Sequence, residues 1–156
     1  MRRIRNIAIA VLALLVVAGG VFWYVQSRTP AKSDCDIAAD MMAYRKTTGD
    51  EISAVKDKAD DMDDPNGYIL KKYDAWQSQV PAYIDQIKTP DIKARAQAVS
   101  DADGPLIAWH KGLMANPPDF SDPAWQASND ANLKQISDRI DKATKDLRQV
   151  CPNAGR

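Results

Sequence analysis

An uncharged run from Ile7 to Val25, preceded by Arg2, Arg3 and Arg5 and followed by Gln26, Ser27 and Arg28, constrains this chain more than any other feature. At about 1.5 Å per residue, some 20 helical residues span roughly 30 Å, the thickness of the hydrocarbon core of a bilayer. Residues 7–26 are therefore expected to form a transmembrane anchor. Three arginines precede the run and only Arg28 closely follows it, so the positive-inside bias keeps residues 1–6 in the cytoplasm. A tether over 27–33, a domain over 34–152 and a short tail over 153–156 then lie outside. The expected location is a bacterial cytoplasmic membrane, crossed once, with the domain on the periplasmic or envelope side.

A cleavable signal peptide is the competing reading. Its apolar region would cover Ile7 to Val17, with a small-residue site near Ala18, Gly19 and Gly20. Cleavage there would leave Val21, Phe22, Trp23, Tyr24 and Val25 as an apolar new terminus. In an intact span, Trp23 and Tyr24 reach the outer headgroup level, where amphipathic rings are favoured. Lipid modification is set aside because Cys35 follows Lys32, Ser33 and Asp34 rather than small apolar residues.

The remaining chain is long enough for one core. Lys plus Arg and Asp plus Glu number 21 each; removing Arg2, Arg3, Arg5 and Arg28 leaves 17 basic against 21 acidic residues, a net charge of about −4. That surface lacks the basic stripe that nucleic-acid binding needs. The two cysteines, Cys35 and Cys151, stand near the two ends of the domain. Outside the cytoplasm paired thiols oxidise, so one disulfide between them is expected. With a single histidine they cannot fill a Cys/His zinc shell.

Apolar spacing reads as four helices, hence an all-α fold. Ile37, Met41, Tyr44, Thr48, Ile52, Val55, Ala59 and Met62 keep one helical stripe, so the first helix is expected to continue to Met62. A capping box at Thr48 to Glu51 is a weak point within it. Asp64, Pro65, Asn66 and Gly67 mark a turn. Ile69, Tyr73, Trp76, Val80, Tyr83 and Ile87 form the second stripe, and Pro81 should kink or divide that helix. Thr89 and Pro90 supply an N-cap and a first helical residue for the third helix, lined by Ile92, Val99, Ala102, Leu106, Trp109 and Leu113, with a bend or break at Gly104 and Pro105. Asp122 and Pro123 start the fourth, whose stripe is Leu133, Ile136, Ile140, Ala143, Leu147 and Val150. The expected architecture is an up-down-up-down bundle. An even number of passes would bring Cys35 and Cys151 together at the membrane end, an independent check on the helix count.

Few residues invite chemistry. His110, the lone histidine, is expected at the edge of its stripe with one nitrogen toward water, and no nucleophile stands near it in sequence. The methionines lack the spacing of a copper site. Asp57, Asp60, Asp61, Asp63 and Asp64 form an acidic run, but aligning Gly67 with the glycine of a calcium loop puts Met62 and Tyr73 at ligand positions. No catalytic residue, cofactor or metal is therefore assigned. The candidate partner surface is Asp60, Asp61, Asp63 and Asp64, read as the acidic end of the first helix at the membrane-distal tip, together with Trp125, read as a cover over the bundle end beside Phe120.

The segment KTPDIKARAQAV from Lys88 to Val99 resembles the Pro-started, alanine-rich helix that recurs in small membrane-anchored, disulfide-closed helical envelope proteins of actinobacteria. The resemblance implies an anchored helical domain and transfers no activity. The resulting expectation is a non-enzymatic envelope protein that acts by protein–protein interaction, as an accessory subunit of a membrane complex. The alternatives are a bundle that holds a small ligand where Pro81, Gly104 and Pro105 distort the helices, and an envelope inhibitor or immunity protein. A deep pocket at those segments would favour the ligand-binding alternative.

Overall fold

A computed structural model describes residues 31–55 and 57–155. The expected anchor over 7–26, the segment 1–6 and most of the tether lie outside the described residues; among those described, no helix is long and apolar enough to cross a membrane. Four helices succeed one another in one compact unit beginning at Ser33: α1 (Asp34–Ala54), α2 (Pro65–Gln86), α3 (Pro90–Ala115) and α4 (Pro123–Val150). The chain is all-α over its described residues, and Cys35 is disulfide-bonded to Cys151.

Local chemistry explains each start. Ser33 caps α1 in a reciprocal capping box: its hydroxyl accepts from the Asp36 amide, and the Asp36 carboxylate accepts from the Ser33 amide at 3.1 Å. α1 runs unbroken through Thr48 to Glu51, as its continuous stripe implies, and the capping-box pattern there does not divide it. α1 also ends at Ala54 rather than Met62, and one 3-10 turn (Ala59–Asp61) precedes α2. Aspartates are poor helix formers and are unfavourable at the negative end of a helix dipole, which is where a longer α1 would have put them.

Asp64 shows where that charge is accommodated. Its carboxylate accepts from the Gly67 amide at 2.8 Å and caps α2, with Pro65 in the first turn. The segment expected as a turn is thus a helix start, the same Asp-Pro signature that opens α4 at Asp122 and Pro123. A methyl group at residue 67 would fall on the Asp64 carboxylate, so glycine is required for this close approach. At α3, Thr89 occupies the cap position but makes no side-chain cap bond; its hydroxyl donates to Asp34 instead, and its amide does so at 2.7 Å. Pro81 and Pro105 both lie inside continuous helices and divide neither.

Each helix packs on its chain neighbour, α1 on α2, α2 on α3 and α3 on α4, while α1 and α4 make no extended contact. The disulfide joins those two where α1 begins and α4 ends, with the Cα atoms 5.1 Å apart. The main core gathers at this end: Met41 on α1, Val80 and Ile84 on α2, Val99 on α3 and Leu147 on α4 are essentially fully buried. At the opposite end α4 contributes little, since Gln126 to Asn132 is polar or small and mostly exposed. The apolar filling therefore runs out toward that end.

The face that α3 buries differs from the expected one. Ala96, Val99, Asp103 and Ile107 are buried, whereas Leu106, Trp109 and Leu113 are only half-buried. The observed face is rotated by about one residue because it accommodates a charged residue, Asp103.

Candidate functional site

Asp103 is 2 % exposed and Arg45, on α1, is 9 % exposed. Both occupy core positions by helical spacing: Arg45 comes four residues after Met41 and three before Thr48, and Asp103 lies four from Val99 and four from Ile107. They pair in a bidentate fork, Arg45 Nε donating to Asp103 Oδ2 at 2.6 Å and Arg45 Nη2 to Oδ1 at 2.5 Å. Such a fork matches the planar guanidinium to the carboxylate and offsets the desolvation of both charges. Arg45 Nη1 also donates to the Met42 sulfur at 3.3 Å, and the guanidinium carbon lies 5.7 Å from the centroid of the Trp76 ring.

Next to this pair, toward the end away from the disulfide, α1, α2 and α3 border a cavity of about 630 Å³ that is open to solvent on one side. Ile52, Ile69, Tyr73, Leu106, Trp109 and Leu113 supply much of its wall, with Asp103, His110 and Trp76 among the polar-bearing groups and Phe120 from the α3–α4 loop. No α4 residue takes part. The volume falls in the usual range for small-molecule sites, and the mix of many apolar walls with few polar groups is the usual chemistry of such sites.

His110, expected at the edge of its stripe, lies in the wall of this cavity. It is half-buried in the cavity wall, its ring 4.5 Å from Trp109 and 5.6 Å from Tyr73, centroid to centroid. Burial pushes the Tyr73 hydroxyl pKa up, so Tyr73 contributes a neutral phenol to this wall. Trp109 donates its indole N–H to Asn129 Oδ1 at 2.8 Å, tying the α3 side of the cavity to α4.

Trp76, a core residue by its place on the second stripe, is instead half-buried and shared among cavities. It lines the large one, a second of about 160 Å³ beside Gln77, Ser100 and Gly104, and a third of about 230 Å³ beside Met42, Lys46 and Arg148. Its indole Nε1 is shielded from solvent and has no hydrogen-bond partner, the one such buried side-chain atom among the described residues. A buried donor without an acceptor costs about 1–3 kcal/mol.

The residues of the expected partner surface are only partly together. Asp60 and Asp61 lie in the 3-10 turn and Asp63 just beyond it, all exposed, but none belongs to α1, and Asp64 is committed to capping α2. Trp125 is half-buried and packs edge-on against Phe120 at 5.3 Å, while Phe120 itself is 57 % exposed. Among the described residues no group of three or more His, Cys, Asp or Glu side chains is placed to hold a metal ion.

Sequence reasoning does not single out Arg45, Asp103 or the Trp76 N–H. The available signal was one basic and one acidic residue, each set at a core-periodic position on a different helix. No known protein family, curated protein or solved structure matches this chain.

Proposed function

We propose that this protein is a membrane-anchored helical bundle whose extracytoplasmic domain binds a small apolar molecule in the cavity between α1, α2 and α3. One observation carries the reading: an aromatic-lined cavity of about 630 Å³ adjoining the segment around Gly104, where sequence placed the distortion of α3. The function is binding rather than turnover. Residues 7–26 serve as the anchor in the bacterial cytoplasmic membrane, with residues 1–6 inside. Support comes from their apolar length, the arginines before them, and a disulfide suited to an oxidising compartment. The Lys88 to Val99 resemblance to actinobacterial envelope proteins agrees with that placement.

The test is binding of a neutral fluorescent probe, N-phenyl-1-naphthylamine, to the full chain in phospholipid nanodiscs, compared with an Ile69→Trp or Leu106→Trp variant that fills the cavity. Wild type should enhance probe emission above empty discs, and the filled variants should not. Equal enhancement by wild type and folded, filled variants would sink the reading.

A second reading, a protein partner at the end away from the disulfide, is favoured by the exposed Phe120 ring in a loop at the same end as Asp60, Asp61 and Asp63. A basic partner steered by those carboxylates would bind more weakly, and with a flatter salt dependence, after all three become Asn. Unchanged capture at low salt would remove that reading.

A further inference from the structure

We propose that the large cavity takes an aromatic ring compound, and that Gly49 is the residue that makes room for it beside the Trp76 ring. The proposal rests on the cavity being a binding site. It adds the shape and chemistry of what the site accepts.

Gly49 is a glycine that the fold does not ask for. It lies inside α1, where glycine weakens a helix relative to alanine because it has more backbone freedom to lose. No left-handed φ explains it, since among the described residues only Gly155 has one. No close approach explains it either: a Cβ built on Gly49 would meet nothing nearer than Cζ3 of Trp76, at 3.9 Å, an ordinary contact. Alanine would therefore fit and would strengthen the helix. It would also take up space at the cavity wall, which Gly49 forms together with Trp76.

The rest of the wall indicates what that space is for. Five of the lining residues carry aromatic rings: Tyr73, Trp76, Trp109, His110 and Phe120. The His110 ring lies 5.6 Å from Tyr73 and 4.5 Å from Trp109, so these three form one aromatic patch. The Trp76 N–H is shielded from solvent, so the part of the indole that reaches this open cavity is ring carbon, with Cζ3 nearest to Gly49. A saturated ligand would gain only contact with such walls, whereas an aromatic one also gains the offset-stacked and edge-to-face arrangements that ring quadrupoles favour. Without a Cβ at Gly49, a flat ring can lie close against the α1 backbone and reach Trp76.

The experiment is methyl and amide NMR of the full chain in phospholipid nanodiscs, with naphthalene and decalin as probes. Both have the same fused two-ring skeleton, one flat and aromatic, the other puckered and saturated. The Leu106 and Leu113 methyl groups report occupancy, and affinities are referred to probe dissolved in the disc lipid so that hydrophobic transfer cancels. Naphthalene should move the methyl signals and bind about three- to tenfold more tightly than decalin, the worth of one aromatic contact. Gly49→Ala should weaken naphthalene by about fivefold or more, as an extra methyl group in a filled site does, while raising the urea midpoint of unfolding. Gly112→Ala is the control, since Gly112 is exposed on α3 and lies outside the cavity wall; it should raise the midpoint and leave binding unchanged. Methyl signals that neither probe moves would overturn cavity binding and this proposal together. Decalin binding as tightly as naphthalene would overturn the proposal alone, and so would undiminished naphthalene binding by Gly49→Ala. The comparison of the two probes on wild type decides the ring chemistry even if Gly49→Ala fails to fold.

Discussion

Removing one partner of the Arg45–Asp103 pair should be among the most damaging single changes available to this domain. The two side chains are 10 % and 3 % exposed, and two hydrogen bonds of 2.5 and 2.6 Å join them. Two unit charges about 4 Å apart at an effective dielectric near 20 attract by about 4 kcal/mol. Deleting one also strands the other, and broken buried pairs cost about 3–5 kcal/mol. Asp103→Ala should therefore lower unfolding stability by about 3–5 kcal/mol, a large share of the ~5–15 kcal/mol typical of a domain. Replacing both charges with residues of similar volume, Arg45→Met with Asp103→Leu, should restore stability to within about 1 kcal/mol of wild type or exceed it. Urea unfolding followed by circular dichroism measures the full cycle without the ionic screening of guanidinium. A loss below about 1 kcal/mol in Asp103→Ala, or a coupling energy near zero, would mean that the pair is solvated like a surface bridge.

Opening the disulfide by Cys35→Ser with Cys151→Ser should cost about 4–5 kcal/mol in urea unfolding, since the bonded residues are 116 apart in sequence and closure of so long a loop restricts the unfolded chain strongly; a loss under about 1 kcal/mol would refute this. Asp34 accepts from the Thr89 hydroxyl and amide and from the Lys88 amide, which hold its carboxyl below the usual range. A depressed folded pKa gives stability that is present above the unfolded value, about 4, and lost as pH falls through the folded one. The stability gap between wild type and Asp34→Ala should thus be full at pH 7 and close in acid below about pH 4, and a gap constant from pH 7 to pH 2 would contradict it. Asp64→Ala should cost about 1 kcal/mol through loss of the α2 cap, while Asp64→Asn, an equally good cap, should cost almost nothing; equal losses in thermal melts would show that charge rather than capping matters.

Sequence alone determined the helix count, the disulfide and most of the core face of α4. These come from local rules: apolar residues at helical spacing must share a face, and Asp122 and Pro123 carry their own start signal. The extent of α1 was less legible, because its apolar stripe continues in phase to Met62 while the dipole and the aspartates end the helix at Ala54. Asp64 and Pro65 carry the same pair of residue types as Asp122 and Pro123, yet the neighbouring Asn66 and Gly67 make them read as a turn. A cap and a turn use the same residues, because both need a side-chain oxygen that accepts from a nearby backbone amide. At Asp64 the amide is that of Gly67, and the helix beyond it distinguishes the two.

Tertiary structure alone decided the site. Spacing can place Arg45 on one buried stripe and Asp103 on another, but only the packing of α1 against α3 shows that each charge has the other as partner. It also decided that Trp76 keeps an unpartnered N–H and that Leu106, Trp109 and Leu113 face a cavity rather than a filled core. A cavity is a shortfall summed over several helices, here set by the polar first turns of α4, and no single stripe records it.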